Sequence, residues 1–288
     1  MTLLLQISDP HFGTEQSRVV EALVELVHEQ KPDVLVLSGD ITQRASASQF
    51  KQARAFCDRL AIPLMLSLPG NHDIALFNLY QRVFKPYGRY LDAFGPDIES
   101  VLQTPSLLLV GVKTTRRWRH KNGEVSRAQI ACVVSHLNQA TPGQLCVVVV
   151  HQPVHVLRAE DEHDRLRGWE PAVRAWSAAG ADIVMGGHIH LPYACDLSAS
   201  VTGLSRRMWC VQAGTALSSR VRWEAPNSVN LLSYDALHEP LKCQLARWDY
   251  SCSSGRFQLE KTTEMLLDRD LFGPNVSDSR MSASLQQL

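Results

Sequence analysis

The chain has 288 residues, 45% of them hydrophobic, and its 29 Lys and Arg balance 29 Asp and Glu. That composition supplies ample material for a core, and its charge balance asks for neither nucleic acid nor an anionic membrane as partner. Seven scattered cysteines without a CxxC pair, no run approaching the roughly 18 apolar residues of a membrane span and an N-terminus lacking a basic n-region lead to an expected location in a reducing cytoplasm.

Short apolar runs alternate with amphipathic segments, the rhythm of an α/β fold. Leu3–Ser8 reads as a first strand, although Gln6 interrupts its apolar character. Val20, Leu23, Val24 and Val27 then recur at helical spacing within Ser17–Gln30. A strand over Asp33–Ser38 ends at Gly39-Asp40, a helix over Ser48–Leu60 follows, and a strand over Pro63–Leu68 runs into Pro69-Gly70-Asn71-His72. Residues 74–105 are rich in Tyr, Phe, Gly and Pro and read as a helix or two within an irregular excursion. Strand character returns over Leu107–Val112, and a helix is expected over Arg127–Leu137 with Ser126 as its N-cap.

The second half keeps the rhythm without repeating the sequence. Leu145–Val150 is a buried strand leading to His151, and a polar loop over Arg158–Arg167 precedes a helix from Pro171 to Ala179. A strand over Asp182–Met185 leads into Gly186-Gly187-His188. Met208–Gln212, Ser228–Tyr234 and Lys242–Tyr250 are further strands, and the Ser/Gln-rich end from Asp268 is expected to fray. The organisation expected is one domain over residues 1–267 with a polar tail over 268–288.

Five short runs carry the chemistry: Asp9-Pro10-His11, Gly39-Asp40, Gly70-Asn71-His72-Asp73, His151 and Gly187-His188-Ile189-His190. Most follow a strand, which delivers a ligand to one edge of a sheet. Carboxylates with imidazoles and no thiolate suit borderline divalent metals such as Mn, Fe, Zn and Co and differ from the usual structural zinc set. Asp40 is the natural bridge between two cations, since a shared carboxylate reduces their repulsion. In an extended chain Asp9 and His11 would share one side, as would His188 and His190. His72 would point away from Asn71, which makes it a neighbour for the substrate and a candidate general acid.

These blocks, in this order, resemble those of the calcineurin-like metallophosphoesterase superfamily, over roughly residues 3–215. The resemblance implies a four-layer αββα sandwich with two metals at the carboxyl ends of the strands. Carried over by position, it assigns Asp9, His11, Asp40 and His190 to one metal and Asp40, Asn71, His151 and His188 to the other. His72 falls on the catalytic histidine and Asp73 on the carboxylate that orients it. The implied reaction is attack of a metal-bridging hydroxide on phosphorus with His72 assisting the leaving oxygen. Within the superfamily, the class III cyclic-nucleotide phosphodiesterases of bacteria look nearest. Small phosphodiesters, cyclic nucleotides first, are therefore the expected substrates, with no stable nucleic-acid complex. Phosphomonoesters and nucleotide pyrophosphates are the runners-up. A filled ligand set speaks against a catalytically inactive interaction scaffold.

Two departures stand out: Gln152 where many members carry a second His, with a possible substrate contact, and Ile189, expected to be neutral. Other residues weigh less. Arg116, Arg117, Arg119 and His120 could contact phosphate but read first as a solvated loop, and Trp118 as a surface-packing residue. His155 and His163 are expected to be exposed; Arg220, Arg222 and Trp223 resemble the arginine-rich run of the nearest relatives after Gly214-Thr215, with a structural role near the edge of the site or contact with substrate as the alternatives. Cys57, Cys132 and Cys195 are expected to be inert.

Overall fold

The computed structural model describes residues 1–75, 79–119, 121–222, 225–237 and 241–268. His120, Trp223 and the tail beyond Asp268 therefore lie outside the described residues. The strands are β1 Thr2–Ile7, β2 Val34–Leu37, β3 Leu64–Ser67, β4 Val101–Gln103, β5 Leu107–Gly111, β6 Leu145–Val149, β7 Ile183–Gly186, β8 Tyr193–Asp196, β9 Trp209–Gln212, β10 Ser228–Tyr234, β11 Lys242–Ser251 and β12 Arg256–Leu266. The helices are α1 Ser17–Gln30, α2 Ala47–Leu60, α3 Leu79–Phe84, α4 Gly88–Phe94, α5 Arg127–Leu137 and α6 Trp169–Ala179.

The strands form two six-stranded mixed sheets, ordered β12-β11-β10-β1-β2-β3 and β4-β5-β6-β7-β9-β8. In the first, β1, β2 and β3 run parallel, and β10 pairs antiparallel with β1. In the second, β5, β6, β7 and β9 run parallel. Alternation along the strands divides the apolar residues among three cores. Leu5, Ile7, Leu35 and Leu37 face Leu23, Phe50 and Phe56 of α1 and α2. Leu4, Val34, Val36 and Leu66 meet Leu109, Val147, Val149 and Met185 between the sheets. Val110, Val148 and Val184 pack against Val133, Val173 and Trp176 of α5 and α6. Helices, sheet, sheet, helices: this is the expected four-layer αββα sandwich.

Gln6, the polar residue inside β1, is fully buried in the seam between the sheets. Its amide nitrogen donates to Gly186 O of β7 at 2.9 Å and to Ser38 Oγ at 3.2 Å, and its oxygen accepts from Asn230 at 3.0 Å. The break in the apolar run is thus a satisfied cross-sheet link directly beneath the strand ends.

Ser126 caps α5 as expected: its hydroxyl accepts from Gln129 N at 3.2 Å and Gln129 Oε1 accepts from Ser126 N, completing a capping box. Ser126→Ala should cost about 1 kcal/mol; a Tm unchanged in a thermal melt would show that the cap is redundant. Helix α2 has the same device at Ser46, one residue before the helix starts at Ala47 rather than Ser48. Helix α6 starts at Trp169, so Pro171 lies within its first turn, where a missing N–H is tolerated.

Three strands come as additions to the sequence reading: β4, β8 and β12. The last pairs with β11 over its full length at a sheet edge. Its exposed residues are mostly polar, Leu259 and Leu266 excepted, which hides the strand in a hydropathy pattern and blunts the edge against pairing with other chains. All seven cysteines are free thiols, and among the described residues no helix is long and apolar enough to cross a membrane.

Candidate metal centre

The expected ligand residues converge at the carboxyl ends of the strands. Asp9 and His11 follow β1, Asp40 follows β2, and Asn71 and His72 follow β3, all from the first sheet. His151 follows β6, and His188 and His190 follow β7, from the second. Tight turns bring them there. Asp9, His11, Asp40, His188 and His190 all have positive φ, between 45° and 74°. Such backbone is sparsely populated for side chains of this kind and clusters at functional sites. The two Asp-x-His and His-x-His pairs are therefore not extended, as the sequence alone had implied, and the members of the second pair diverge.

His190 joins Asp9 and His11, while His188 joins Asp40 and His151. His190 Nε2 lies 3.1 Å from His11 Nε2 and 3.4 Å from Asp9 Oδ1. Asp40 stands between the groups, with Oδ2 3.8 Å from His11 Nε2 and Oδ1 3.3 Å from His151 Nε2. Asn71 Oδ1 is 3.1 Å from the same His151 nitrogen.

Backbone carbonyls fix the orientation of three rings. His151 Nδ1 donates to Ser38 O at 2.9 Å, His190 Nδ1 to Arg220 O at 2.7 Å, and His72 Nδ1 to Gln43 O at 3.0 Å. The first two bonds turn Nε2 of His151 and His190 inward, the arrangement that metal-ligating histidines use, and the third turns Nε2 of His72 towards Arg220 in the cleft. His188 instead faces Asp164 Oδ1 with Nε2 at 3.6 Å, leaving a buried Nδ1 without a partner.

The donor set fits divalent cations. Asp9 Oδ1 is buried without a hydrogen-bond partner, whereas Oδ2 is held by Ser8 Oγ at 2.5 Å and His188 N at 2.9 Å. Burial works against the charge on Asp9, but His190 beside it keeps its carboxyl down at about 2. Asp40 is likewise buried and still held well below the usual carboxylate range by His151. Burial pushes His11 down to about 3, against the pull of both carboxylates. At His151 burial acts in the same direction but the Asp40 charge outweighs it, raising the ring to about 9. Two ionised carboxylates thus hold a positive charge at their centre, and a proton fills in part the need that a cation meets.

Asp73 departs from its expected role. Its Oδ1 accepts from Thr42 N and Thr42 Oγ1, both at 2.8 Å, and its Oδ2 from Ile41 N at 3.0 Å and Gly70 N at 2.8 Å. The carboxylate ties the loop after β2 to the loop after β3, and the His72 ring is oriented by the Gln43 carbonyl instead. Gln152 is also corrected. It is fully buried, accepts from Thr114 Oγ1 at 2.5 Å and donates to Lys121 O at 3.1 Å, so it braces the 113–125 loop rather than touching substrate. Ile189 stays between the ligands and contributes an apolar wall to the cleft.

Glycines allow the loops to close. A Cβ on Gly70 would fall on the amide and carboxylate of Asp40. Gly70→Ala should displace Asp40 and reduce metal content at limiting metal several-fold; a fully loaded variant would show the loop can yield.

Asp40, Asn71, His72, His188 and His190 line an open cleft of about 390 Å³, walled by Lys121, Asp161, Asp164, Arg220 and Arg222. The Arg116–Arg119 cluster does not reach it. Arg116 donates to Lys113 O and Gln129 Oε1, Arg117 donates to Val83 O and lies over the exposed Trp118, and Arg119 pairs with Glu124. His155 is half-buried rather than exposed and lowered by that burial, whereas His163 is exposed beside Asp164 at 3.2 Å. Lys121, Asp161 and Asp164 carried no sequence signal beyond lying in polar loops.

The family model described as calcineurin-like phosphoesterase matches residues 2–192, and the chain belongs to that family. No curated protein matches its sequence. A purple acid phosphatase, PPD1, from yellow lupin is similar in structure, with TM-score 0.69 and 13% identity over 92% of this chain and 53% of that one. The chain thus spans about half the length of the lupin enzyme. A dimetal phosphatase from Danio rerio gives TM-score 0.62 and 13% identity over 92% and 99% of the two chains.

Proposed function

We propose that this protein is a dinuclear-metal phosphoesterase acting on small phosphodiesters, with cyclic nucleotides the leading class. The observation that carries the reading is a chain of three overlapping His/carboxylate groups (Asp9, His11 and His190; His11, Asp40 and His72; Asp40, His151 and His188) at the strand ends, several of whose members line one cleft. Asp9, His11, Asp40 and His190 would hold one cation, and Asp40, Asn71, His151 and His188 the other. Two divalent ions so held, drawn from Mn, Fe, Zn or Co, would polarise the phosphoryl group and lower the pKa of water. The chain's own residues do the rest. Ser38, Gln43 and Arg220 carbonyls keep three imidazoles aimed inward. His72 would present Nε2 to the leaving oxygen as general acid. Asp73 would act by locking the Asp40 and Asn71 loops together.

The cleft volume of about 390 Å³ lies within the roughly 300–1,000 Å³ of small-molecule sites, which favours a nucleotide-sized ester over a polymer. A single catalytic unit over residues 1–267, with 268–288 as an appended tail, accords with the three continuous cores. Seven free thiols favour a reducing cytoplasm.

The test is a substrate panel: cyclic AMP, cyclic GMP, glycerophosphodiesters, phosphomonoesters and single-stranded DNA, each with the four metals and with metal content measured. Cleavage of the small diesters supports the reading. A fully metal-loaded protein that cleaves none of them, or prefers DNA, overturns it.

A further inference from the structure

Two of the seven cysteines stand face to face. Cys195 in β8 and Cys210 in β9 are direct partners in the antiparallel register, between the pairs Ala194–Val211 and Asp196–Trp209. Cross-strand partners share one face of a sheet. Here it is the face of the core built with α5 and α6, where Cys210 is fully buried. Cys195 is half-buried against that core on an edge strand, so it borders solvent. The other strand cysteines have different partners: Cys146 stands opposite Leu108, and Cys243 opposite Tyr234 and Met265. At the next steps of the β8–β9 register, Leu197 N donates to Met208 O at 2.9 Å. Hydrogen-bonded and non-hydrogen-bonded pairs alternate along such a ladder, so two residues back Cys195 and Cys210 form a hydrogen-bonded pair, with Cα atoms about 5.5 Å apart. Disulfides span about 4.4–6.8 Å between Cα atoms. Their Cβ atoms, however, sit about 3.8 Å apart, closer than a hydrogen-bonded pair holds them. The strands must draw together to be bridged, and a bridge made under that strain is easily reduced.

We propose that Cys195 and Cys210 form an oxidation site, closing to a reversible disulfide when the protein meets hydrogen peroxide. The two thiols have unequal characters. The Cys210 thiol beside it holds Cys195 below the usual thiol range, against the burial that opposes ionisation. The same contact, together with burial, pushes Cys210 up. Thiolate character and exposure decide which sulfur reacts first, so Cys195 attacks and Cys210 resolves. The Cys195 thiolate bonds to one peroxide oxygen, the O–O bond breaks, and the departing hydroxide takes a proton to become water. The Cys210 sulfur then attacks the Cys195 sulfenic acid, its S–O bond breaks, and hydroxide leaves with the Cys210 proton as a second water. The thiols give up two electrons in all, and the peroxide accepts them. A dithiol returns them by exchange. A transient bond of this kind accords with a reducing compartment, where protein disulfides are catalytic or redox-sensing.

The test reads sulfur chemistry and so stands apart from metal content and turnover. The full chain, reduced and then freed of reductant, is treated with hydrogen peroxide, alkylated, digested and mapped by mass spectrometry. Peptides linked through Cys195 and Cys210 should appear, with two fewer free thiols than the seven of the reduced chain. Dithiothreitol should restore all seven. Cys210→Ser should leave Cys195 as a sulfenic acid that dimedone traps, and Cys195→Ser should leave Cys210 reduced under the same treatment. Circular dichroism of both variants establishes that they fold. Oxidation that falls on the exposed Cys132 and Cys252 while Cys195 stays a thiol overturns the proposal. So does a Cys195 driven to sulfinic acid in the wild type with Cys210 still reduced, or a linked pair that dithiothreitol fails to open.

Discussion

Replacing His72 with alanine should leave metal content at the wild-type level and lower kcat by roughly 10²–10⁴-fold, the usual contribution of a positioned general acid. The ring lies between two roles. His72 has a nitrogen close enough to His11 and Asp40 to complete a cation-binding group with them, and its ring meets that of His11 edge-on at 4.9 Å. Its Nδ1, however, is bound to the Gln43 carbonyl, and its Nε2 lines up with Arg220 in the cleft. On the proposed assignment Asp9, His11, Asp40 and His190 would hold that ion without it. Metal analysis of the purified variant separates the roles: a loss of one ion per chain would make His72 a ligand and remove it as the acid. Substrates with a good leaving group, which need little protonation, should lose less turnover than alkyl esters.

Asp40→Ala should have the larger effect, removing both ions together and abolishing turnover. Its two carboxylate oxygens face different histidines, His11 and His151, at 3.8 and 3.3 Å. Its Oδ1 also accepts from His72 N at 2.8 Å and so holds the loop that carries Asn71. On the proposed assignment, truncation would remove a ligand shared by both ions and release Asn71 beside it. Circular dichroism would establish that the variant folds, and metal analysis should then find less than one ion per chain. A folded variant retaining two ions and its activity would show that Asp40 is not shared.

The layers were legible because buried strands alternate and helices repeat their apolar residues, as in β1, where Leu4 and Leu5 enter different cores. The candidate ligands were legible because carboxylate and imidazole chemistry is written in side chains that follow strands. What orients the imidazoles was not, because the Ser38, Gln43 and Arg220 groups that do so are carbonyls, which every residue possesses. Asp73 was misjudged for a related reason. Adjacency to His72 in the chain says nothing about direction in a 3₁₀ turn, Asn71–Asp73, and the carboxylate finds amide donors across the loops. Arg220 and Arg222 are the same residue type two positions apart, and only the ion pairs of Arg222 with Asp161 and Glu160, at 3.0 and 2.8 Å, tell them apart.

Gln6 and the ligands above it have a consequence for how the molecule matures. The first sheet supplies Asp9, His11, Asp40 and Asn71, and the second His151, His188 and His190. On the proposed assignment each ion draws from both sheets, so neither complete coordination set exists until β1 and β7 have docked through the Gln6–Gly186 bond. Metal acquisition is then a late event in folding, and the rate at which ions are captured on refolding reports the closing of the seam.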